Sequence, residues 1–252
     1  MIPKIIHYCW FGGNPLPDSA HKCINSWKKY FPDYEIKEWN EKNFDVNMIP
    51  YTQEAYRMKK YAFVSDFARL YVIMKYGGLY FDTDVEVIKP MDDIVSKGAF
   101  LGVEKNIIVE GMNIPGINPG LGFGAPENHP YFIEMVELYK KMDFYHGNGN
   151  TYGFKTIVEN CTEVMMKYGY NETLDMSVIN KIRETYLYPK EYFCPNFYNG
   201  KWIPGSNTRS IHHYAATWLP KSILFKVWLV KKIPQSWYSL YKKFSSFIHN
   251  LL

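Results

Sequence analysis

Cysteine is scarce in this chain, and long apolar runs are missing from it. Its 252 residues include four cysteines with no C-x-x-C pair, so neither a disulfide framework nor a zinc ribbon is indicated. No apolar run reaches the ~18 residues that a membrane-spanning helix needs, and the segment after Met1 lacks the apolar core of a signal peptide. These absences predict reduced thiols in a cytoplasmic protein without a transmembrane helix.

Acidic residues are missing from the last part of the chain. The final one is Glu191, and the residues after it include eight Lys and Arg but no Asp or Glu. Such asymmetry predicts an anionic partner for this end of the chain, namely lipid headgroups, phosphates or nucleic acid. Nucleic acid is the weakest of the three, because no base-reading motif accompanies the charge.

Two helical patterns, over 222–232 and 235–252, occupy this basic end. The second has one apolar stripe, made of Trp237, Leu240, Tyr241, Phe244, Phe247, Ile248 and Leu251. Lysines and interfacial aromatic residues beside such a stripe are typical of a helix on a membrane surface. A helix pair packed on the main domain or on a second subunit has the same pattern. The sequence therefore predicts a main domain over 1–220 and a helical tail over 221–252.

Strand and helix patterns alternate along the main domain. Apolar runs predict strands over 4–10, 34–39, 79–81, 85–88 and 99–103, and apolar residues at helical spacing predict helices over 20–31, 61–76, 130–141 and 156–168. Such an order favours an α/β fold whose mixed, mainly parallel sheet is flanked by helices. Residues 104–130, which are rich in Gly, Asn and Pro, are predicted to be a loop that contacts ligands.

Two acidic residues, Asp82 and Asp84, directly follow the predicted strand over 79–81. In an extended segment their side chains point to the same side, because side chains alternate with a period of two. Paired carboxylates on a rigid element suit a divalent cation, which in turn binds a diphosphate. An ordinary surface pair at the end of a strand is the simpler interpretation of these two residues alone.

A second charged pair, Asp66 and Arg69, lies on the predicted helix that precedes this strand. Residues three apart share one face of a helix, and both lie close to the apolar stripe. Charges near a core must be paired or must bind something polar. The two interpretations are an ion pair within the helix and a site for sugar hydroxyls and phosphate, for which the guanidinium fork is well shaped.

Three segments together resemble a known family: residues 2–12 (IPKIIHYCWFG), 65–70 (SDFARL) and 76–84 (YGGLYFDTD). They are similar to the D-x-D glycosyltransferases of family 32, which include bacterial capsular and lipopolysaccharide transferases and yeast Golgi mannosyltransferases. The resemblance implies a GT-A-like fold and a retaining enzyme that moves a hexose from a nucleotide sugar, expected to be a UDP-sugar, to a saccharide acceptor. It also implies Mn²⁺ or Mg²⁺ as cofactor.

The resemblance also implies roles for the acidic and basic motif residues. Asp66 and Arg69 match contacts to the donor sugar and phosphate, and Tyr80 matches a further donor contact. Asp82 matches a contact to ribose, sugar or metal, and Asp84 matches the direct metal ligand. All four charged residues are therefore predicted to form the catalytic site.

Five further residues are predicted to bind substrate or metal. The first-strand motif with His7 and Trp10 is expected to form the nucleotide pocket, with Trp10 stacked on the base, and Asn118 to contact sugar. Residues 210–218 (SIHHYAATW) resemble the family's late histidine motif, in which His213 is expected to bind metal and Trp218 the diphosphate. The simpler alternative for each aromatic or histidine residue is a place in the core or at the surface.

The expected acceptor is lipid-linked and belongs to capsular or surface polysaccharide synthesis, which would place the protein at the inner face of the membrane. Two other functions stay open at the level of sequence. One is a phosphatase, because residues 80–85 (YFDTDV) are also similar to a D-x-D-x-T/V motif with Asp82 as nucleophile. The other is a non-catalytic module that binds saccharides on aromatic side chains.

Overall fold

A computed structural model describes residues 1–144, 155–198 and 200–215. The predicted tail over 221–252 and Trp218 lie outside the described residues, so both stay predictions, as does the division of the chain at residue 220. Within the described part, no helix combines the length and the apolar character needed to cross a bilayer. All four cysteines lie in that part, and they are unpaired thiols, as expected.

The described residues form twelve strands and six helices, which alternate in the first third of the chain. The strands are β1 (Ile5–Cys9), β2 (Glu35–Trp39), β3 (Gly78–Tyr80), β4 (Val85–Val87), β5 (Ala99–Val109), β6 (Met112–Ile117), β7 (Phe123–Ala125), β8 (Asn180–Ile182), β9 (Thr185–Tyr188), β10 (Asn196–Tyr198), β11 (Lys201–Ile203) and β12 (Ser210–His212). The helices are α1 (Asp18–Tyr30), α2 (Pro50–Arg57), α3 (Tyr61–Tyr76), α4 (Asp92–Val95), α5 (Pro130–Lys140) and α6 (Ile157–Lys167).

Eight strands form one central sheet in the order β2-β1-β3-β7-β5-β9-β8, with β6 paired to β5. Strand β1 is parallel to β2 and β3, and β5 is parallel to β9. Strand β7 lies between β3 and β5 and is antiparallel to both. The two parallel groups on either side of it therefore run in the same direction. The predicted α/β fold, with a mixed, mainly parallel sheet flanked by helices, is therefore confirmed.

Apolar side chains pack against both faces of this sheet. On one face, α2, α3, α5 and α6 contribute to a large core with residues such as Phe67 and Phe132. On the other face, α1 and α4 contribute to a second core around Trp27 and Phe81. Trp27 is fully buried, and its indole N–H donates to the carbonyl of Val85 at 2.7 Å. This contact fixes β4 against α1, directly after the two aspartates of the D-x-D motif.

The turn from α3 into β3 requires glycine. The helix ends at Tyr76, and the N–H of Gly77 donates to Ile73 O at 2.9 Å, as expected for a C-terminal cap. Gly77 and Gly78 both have positive φ, at 63° and 106°. A Cβ on Gly78 would lie 2.6 Å from Ile5 O. These glycines let a buried strand start directly beside β1.

The predicted loop over 104–130 is only partly a loop, and this prediction is corrected. Strand β5 continues to Val109 and pairs antiparallel with β6 through a two-residue turn. Glu110 and Gly111 form that turn with φ values of 48° and 82°, which is the geometry that favours hairpins. The glycines and prolines of this stretch lie in turns and at irregular positions of the strands. The irregular part that remains begins at Asn118, beside the D-x-D motif.

Candidate functional site

The candidate site lies where β3 ends and β4 begins. Asp82 directly follows Phe81 after β3, and Asp84 directly precedes β4. Strand β12 pairs antiparallel with β4, so that His212 lies opposite Val85. This pairing brings a residue from the far end of the described chain to the D-x-D motif. One ligand atom each from Asp82, Asp84 and His212 lies within 4.8 Å of the others.

The third member of this group is His212, which corrects the prediction of His213. His212 Nε2 lies 3.1 Å from Asp84 Oδ1, whereas His213 Nε2 lies 2.8 Å from Glu86 Oε2. His212 is 8% exposed and His213 is half-buried. Alternation of side chains predicted that the two rings diverge, but the register of β12 against β4 decides which ring meets the aspartates.

This group suits a divalent cation in its chemistry and in its burial. Two carboxylates and an imidazole are ligands that Mn²⁺ accepts, and the carboxylates also suit Mg²⁺. Among the described residues, the buried Nδ1 of His212 has no hydrogen-bond partner. The backbone N–H of Ala215 donates to Asp84 Oδ2 at 2.8 Å and orients that carboxylate. The residues therefore fit a metal centre.

Asp84 and His212 stabilise each other's charged forms. Burial works against the charge of Asp84, but hydrogen bonds from His212 and from the N–H of Ala215 outweigh it and lower the pKa of Asp84. Burial likewise opposes the charge of His212, but the hydrogen bond and the negative charge of Asp84 raise its pKa. Asp84 is thus held ionised, which is the form that binds metal.

Arg69 connects the helix motif to the D-x-D motif. Its Nη2 lies 3.1 Å from Asp66 Oδ1 and its Nη1 lies 3.0 Å from Asp82 Oδ2. Its Nε donates to the carbonyl of Ser65 at 3.2 Å. Burial opposes the charge of Arg69, yet the surrounding negative groups hold its pKa well above the usual value. The predicted intrahelical ion pair exists, and the same guanidinium also reaches the site.

Both oxygens of Asp82 are bound within the protein. The hydroxyl of Tyr80 donates to Oδ1 at 2.9 Å, while Arg69 occupies Oδ2. The Arg69 guanidinium also lies 5.0 Å from the centre of the Tyr80 ring. These two contacts orient the carboxylate, and each oxygen keeps a lone pair for a metal ion.

Asp66 has the environment of a group that exchanges a proton near neutral pH. Burial raises its pKa to about 6, against the opposing charge of Arg69, and Asp82 adds to the increase. Desolvation of this kind is common at functional sites. Asp66 is thus an acidic group beside the core that is paired with Arg69, as a charge in such a position must be.

The irregular segment after β6 packs against Asp82. Asn118 Oδ1 accepts from the N–H of Gly120 at 2.7 Å, at the start of the 3₁₀ turn Pro119–Leu121. A Cβ on Gly120 would lie 2.8 Å from Asp82 Oδ2 and 2.9 Å from Asn118 Oδ1. The structure thus brings the predicted residue Asn118 to the edge of the site, and the absence of a side chain at position 120 permits this approach.

His7 has a supporting position, which corrects its predicted contact with substrate. The ring is 1% exposed; its Nε2 donates to Gly77 O and its Nδ1 accepts from the indole of Trp39, both at 2.9 Å. Burial lowers the pKa of His7 to about 4, so the ring is neutral. With both nitrogens bound, His7 holds β1 and β2 to the turn before β3.

Trp10 is half-buried, and its indole N–H donates to the carbonyl of Asn14 at 2.6 Å. Its stacking on a base stays a prediction. Sequence analysis did not select two residues that border the site, Glu104 and Tyr214. Glu104 belongs to no motif, and Tyr214 lies in the 210–218 segment without a predicted role. Only their contacts in the folded chain connect them to the site.

The chain is similar in sequence to known glycosyltransferases. Residues 17–101 match the model of the family described as glycosyltransferase sugar-binding region containing DXD motif. An uncharacterized glycosyltransferase of Acanthamoeba polyphaga mimivirus is 28% identical over 243 residues, which cover 92% of this chain and 90% of the viral protein. These matches support glycosyltransferase activity, and they make residues 17–101 similar to the D-x-D family.

Other similar glycosyltransferases cover less of the chain or share less sequence with it. Inositol phosphoceramide mannosyltransferase 1 of Schizosaccharomyces pombe is 25% identical over 158 residues, or 56% of this chain, which spans 44% of the yeast protein. The solved structure of a glycosyltransferase involved in the glycosylation of the major capsid of PBCV-1 shares 13% identity at a TM-score of 0.46. That alignment covers 86% of this chain and 95% of the solved one.

Proposed function

We propose that this protein is a metal-dependent, retaining glycosyltransferase that moves a hexose from a nucleotide sugar to a saccharide acceptor. One observation carries the proposal, namely that Asp82, Asp84 and His212 converge within 4.8 Å at the end of β3. Such a group suits the cation that accompanies a diphosphate. Arg69 and Asp66 lie directly beside it.

The chain supplies positive charge for a leaving diphosphate. Arg69 has five N–H donors; among the described residues, Nε donates to Ser65 and Nη1 to Asp82, and Nη2 forms an ion pair with Asp66. Donors on both Nη atoms therefore remain for a phosphate or sugar oxygen. Mn²⁺ or Mg²⁺, when bound, would neutralise the diphosphate as a leaving group. Electrostatic stabilisation of that group is the main catalytic contribution in this proposal.

Two further residues orient the donor sugar in this proposal. The carboxylate of Asp66 accepts hydrogen bonds from sugar hydroxyls, and Tyr80 holds Asp82 in position through the 2.9 Å hydrogen bond. Because Arg69 contacts both aspartates, the sugar and the diphosphate are held by one connected set of side chains. That connection supports transfer rather than simple binding.

The proposed donor and acceptor rest on the family resemblance and on the names of similar proteins. The resemblance favours a UDP-sugar, whereas relatives named inositol phosphoceramide mannosyltransferase put mannose among the sugars to test. The same names support a lipid-linked acceptor. A role in capsular or surface polysaccharide synthesis and a position at the inner face of the membrane complete the proposal.

A screen of UDP- and GDP-sugars with and without Mn²⁺ tests this function. Thermal stabilisation that requires both nucleotide and metal, together with slow hydrolysis of one donor, is the expected result. Asp84→Asn should lose both signals, whereas Glu86→Gln should keep them, because Glu86 binds His213 outside the metal group. If no nucleotide stabilises the protein with or without metal, the proposed function fails.

The membrane position has a separate test in the full-length chain. Replacing Lys231, Lys232, Lys242 and Lys243 with Gln should reduce cosedimentation with phosphatidylserine vesicles, because each lysine near anionic lipid contributes about 1 kcal/mol. Neutral phosphatidylcholine vesicles serve as the control. Equal sedimentation of the variant and the parent protein would contradict the membrane interpretation.

A further inference from the structure

The carboxylate of Glu104 lies outside the metal group, between Asn118 on one side of the site and Tyr214 on the other. Glu104 Oε2 accepts from the side-chain N–H of Asn118 at 2.8 Å and from the hydroxyl of Tyr214 at 3.0 Å. Glu104 directly follows the buried run at the start of β5, where the pairing with β6 shifts register. Its carboxylate is thus fixed by residues from two distant parts of the chain.

Both partners of Glu104 also contact the candidate site. Asn118 binds the N–H of Gly120, and Gly120 packs against Asp82. The ring of Tyr214 lies edge-on against His212, with 4.1 Å between the ring centres. The three residues therefore form a polar bridge from the D-x-D side of the site to the histidine side.

Glu104 is held in place by hydrogen bonds and not by a salt bridge. Among the described residues it forms no salt bridge, since Arg69 serves Asp66 and Asp82. Both protein donors go to Oε2, and Oε1 has no hydrogen-bond partner in the described part of the chain. Oε1 does not belong to the buried oxygen atoms that lack a partner, so it is accessible to a ligand hydroxyl.

The backbone of Tyr214 is strained where it forms this bridge. Its φ is 50°, which is uncommon for a bulky aromatic residue. Its hydroxyl also lies 3.0 Å from Cys194 Sγ, which fixes the hydroxyl on a second side. Strain of this kind persists where surrounding contacts demand it, and here they aim the hydroxyl at Glu104.

We propose that Glu104 binds a carbohydrate hydroxyl through Oε1 and so holds a sugar between the Gly120 turn and Tyr214. This inference rests on the proposed function and adds a substrate-binding residue to it. The hydroxyl belongs either to the donor sugar or to the acceptor saccharide, and the chemistry of the contact is the same in both cases. Hydrogen bonds between a hydroxyl and a carboxylate are strong enough to affect turnover.

Glu104→Gln is the decisive variant. The amide oxygen of Gln can still accept from Asn118 and Tyr214, whereas its NH₂ group replaces Oε1 and cannot accept a hydrogen bond. Hydrolysis of UDP-glucose and GDP-mannose, and transfer from the active donor to a panel of methyl hexosides, are measured with Mn²⁺. Exposed Glu110→Gln on the neighbouring turn is the charge-matched control.

The expected result is a fall in kcat/KM of about 10- to 100-fold, the loss typical of a charged hydrogen bond. If the sugar is the donor, both hydrolysis and transfer fall; if it is the acceptor, transfer falls and hydrolysis stays within about twofold of the parent. The Mn²⁺-dependent affinity for UDP and GDP stays unchanged in either case. Glu110→Gln matches the parent protein throughout.

Two results would overturn the inference. Parent-like hydrolysis and transfer in Glu104→Gln would show that turnover needs no hydrogen bond from a sugar hydroxyl to Oε1. Loss of nucleotide affinity would show that Glu104 maintains the structure of the site and does not act on the sugar. Tyr214→Phe gives an independent check, because it loosens the carboxylate without removing it and should produce a smaller fall in the same rates. If the parent protein itself neither binds nor hydrolyses a donor, the proposed function fails first.

Discussion

His212 Nε2 lies 3.1 Å from Asp84 Oδ1, although the two residues belong to distant parts of the chain. The pairing of β12 with β4 is what creates this contact. It completes a group of three side chains whose chemistry fits a metal ion, and the next histidine along the chain points to Glu86 instead. The predictions below test this contact and its surroundings.

His212→Ala should weaken Mn²⁺-dependent nucleotide binding by at least about tenfold, because the group loses one of its three ligands. His213→Ala should change it by less than about twofold, since His213 lies outside the group. Calorimetric titration of UDP and GDP at fixed Mn²⁺ measures both variants. The reverse order of effects would show that the histidines exchange places when metal binds.

Gly120→Ala should disturb the site without a change in charge. Its Cβ would meet Asp82 Oδ2 at 2.8 Å and Asn118 Oδ1 at 2.9 Å, so one of them must move. Overpacking of this kind costs about 1–3 kcal/mol, and donor hydrolysis should fall with it. Urea unfolding and hydrolysis rates are the measurements.

Gly205→Ala is the matched control for that substitution. Its nearest atoms would lie at 3.6 and 3.9 Å, which is ordinary contact distance. It should leave the free energy of unfolding and the hydrolysis rate close to those of the parent protein. A Gly120→Ala variant indistinguishable from this control would mean that the turn shifts easily away from Asp82.

Arg69→Lys should destabilise the protein by about 3 kcal/mol, because one ammonium cannot hold both Asp66 and Asp82 and a buried carboxylate loses its partner. Urea unfolding measures the change. Arg57→Lys is the control: its pair with Glu54 is exposed, and the expected change is below about 0.5 kcal/mol. Similar losses in the two variants would contradict the bridging role of Arg69.

His7 should make stability depend on pH in the acidic range. Because burial lowers its folded-state pKa to about 4 from the ordinary histidine value of 6.5, the unfolded chain binds the proton more readily between these pH values. The stabilisation is fully present above about pH 6.5 and is lost as the pH falls towards 4, with a total of about 3 kcal/mol.

Comparison of His7→Gln with the parent protein isolates this contribution, since other titrating groups are common to both. Urea unfolding at intervals from pH 7 to pH 4 should show a shallower decline for the variant. His21→Gln, which changes an exposed histidine on α1, should follow the parent. Parallel curves for His7→Gln and the parent protein would show that the ring stays protonatable in the folded state.

Local patterns predicted much of the fold. The apolar stripe over 61–76 matches α3, and Gly77 ends that helix as expected. The runs over 4–10 and 34–39 contain β1 and β2. These features succeed because helix periodicity and glycine caps depend on residues within one or two turns of the chain. The loop predicted over 104–130 fails because β5 and β6 form a hairpin there, and a stretch rich in Gly, Asn and Pro does not by itself distinguish a hairpin turn from a longer loop.

The sequence by itself determined the D-x-D pair after a buried strand, the Asp66 and Arg69 motif and the glycines that bring the two together. The tertiary structure alone decided that Arg69 reaches Asp82, that His212 replaces His213, and that Glu104 spans the site. The physical reason is that side-chain direction and composition are local properties, whereas the register between β4 and β12 depends on packing between residues far apart in the chain.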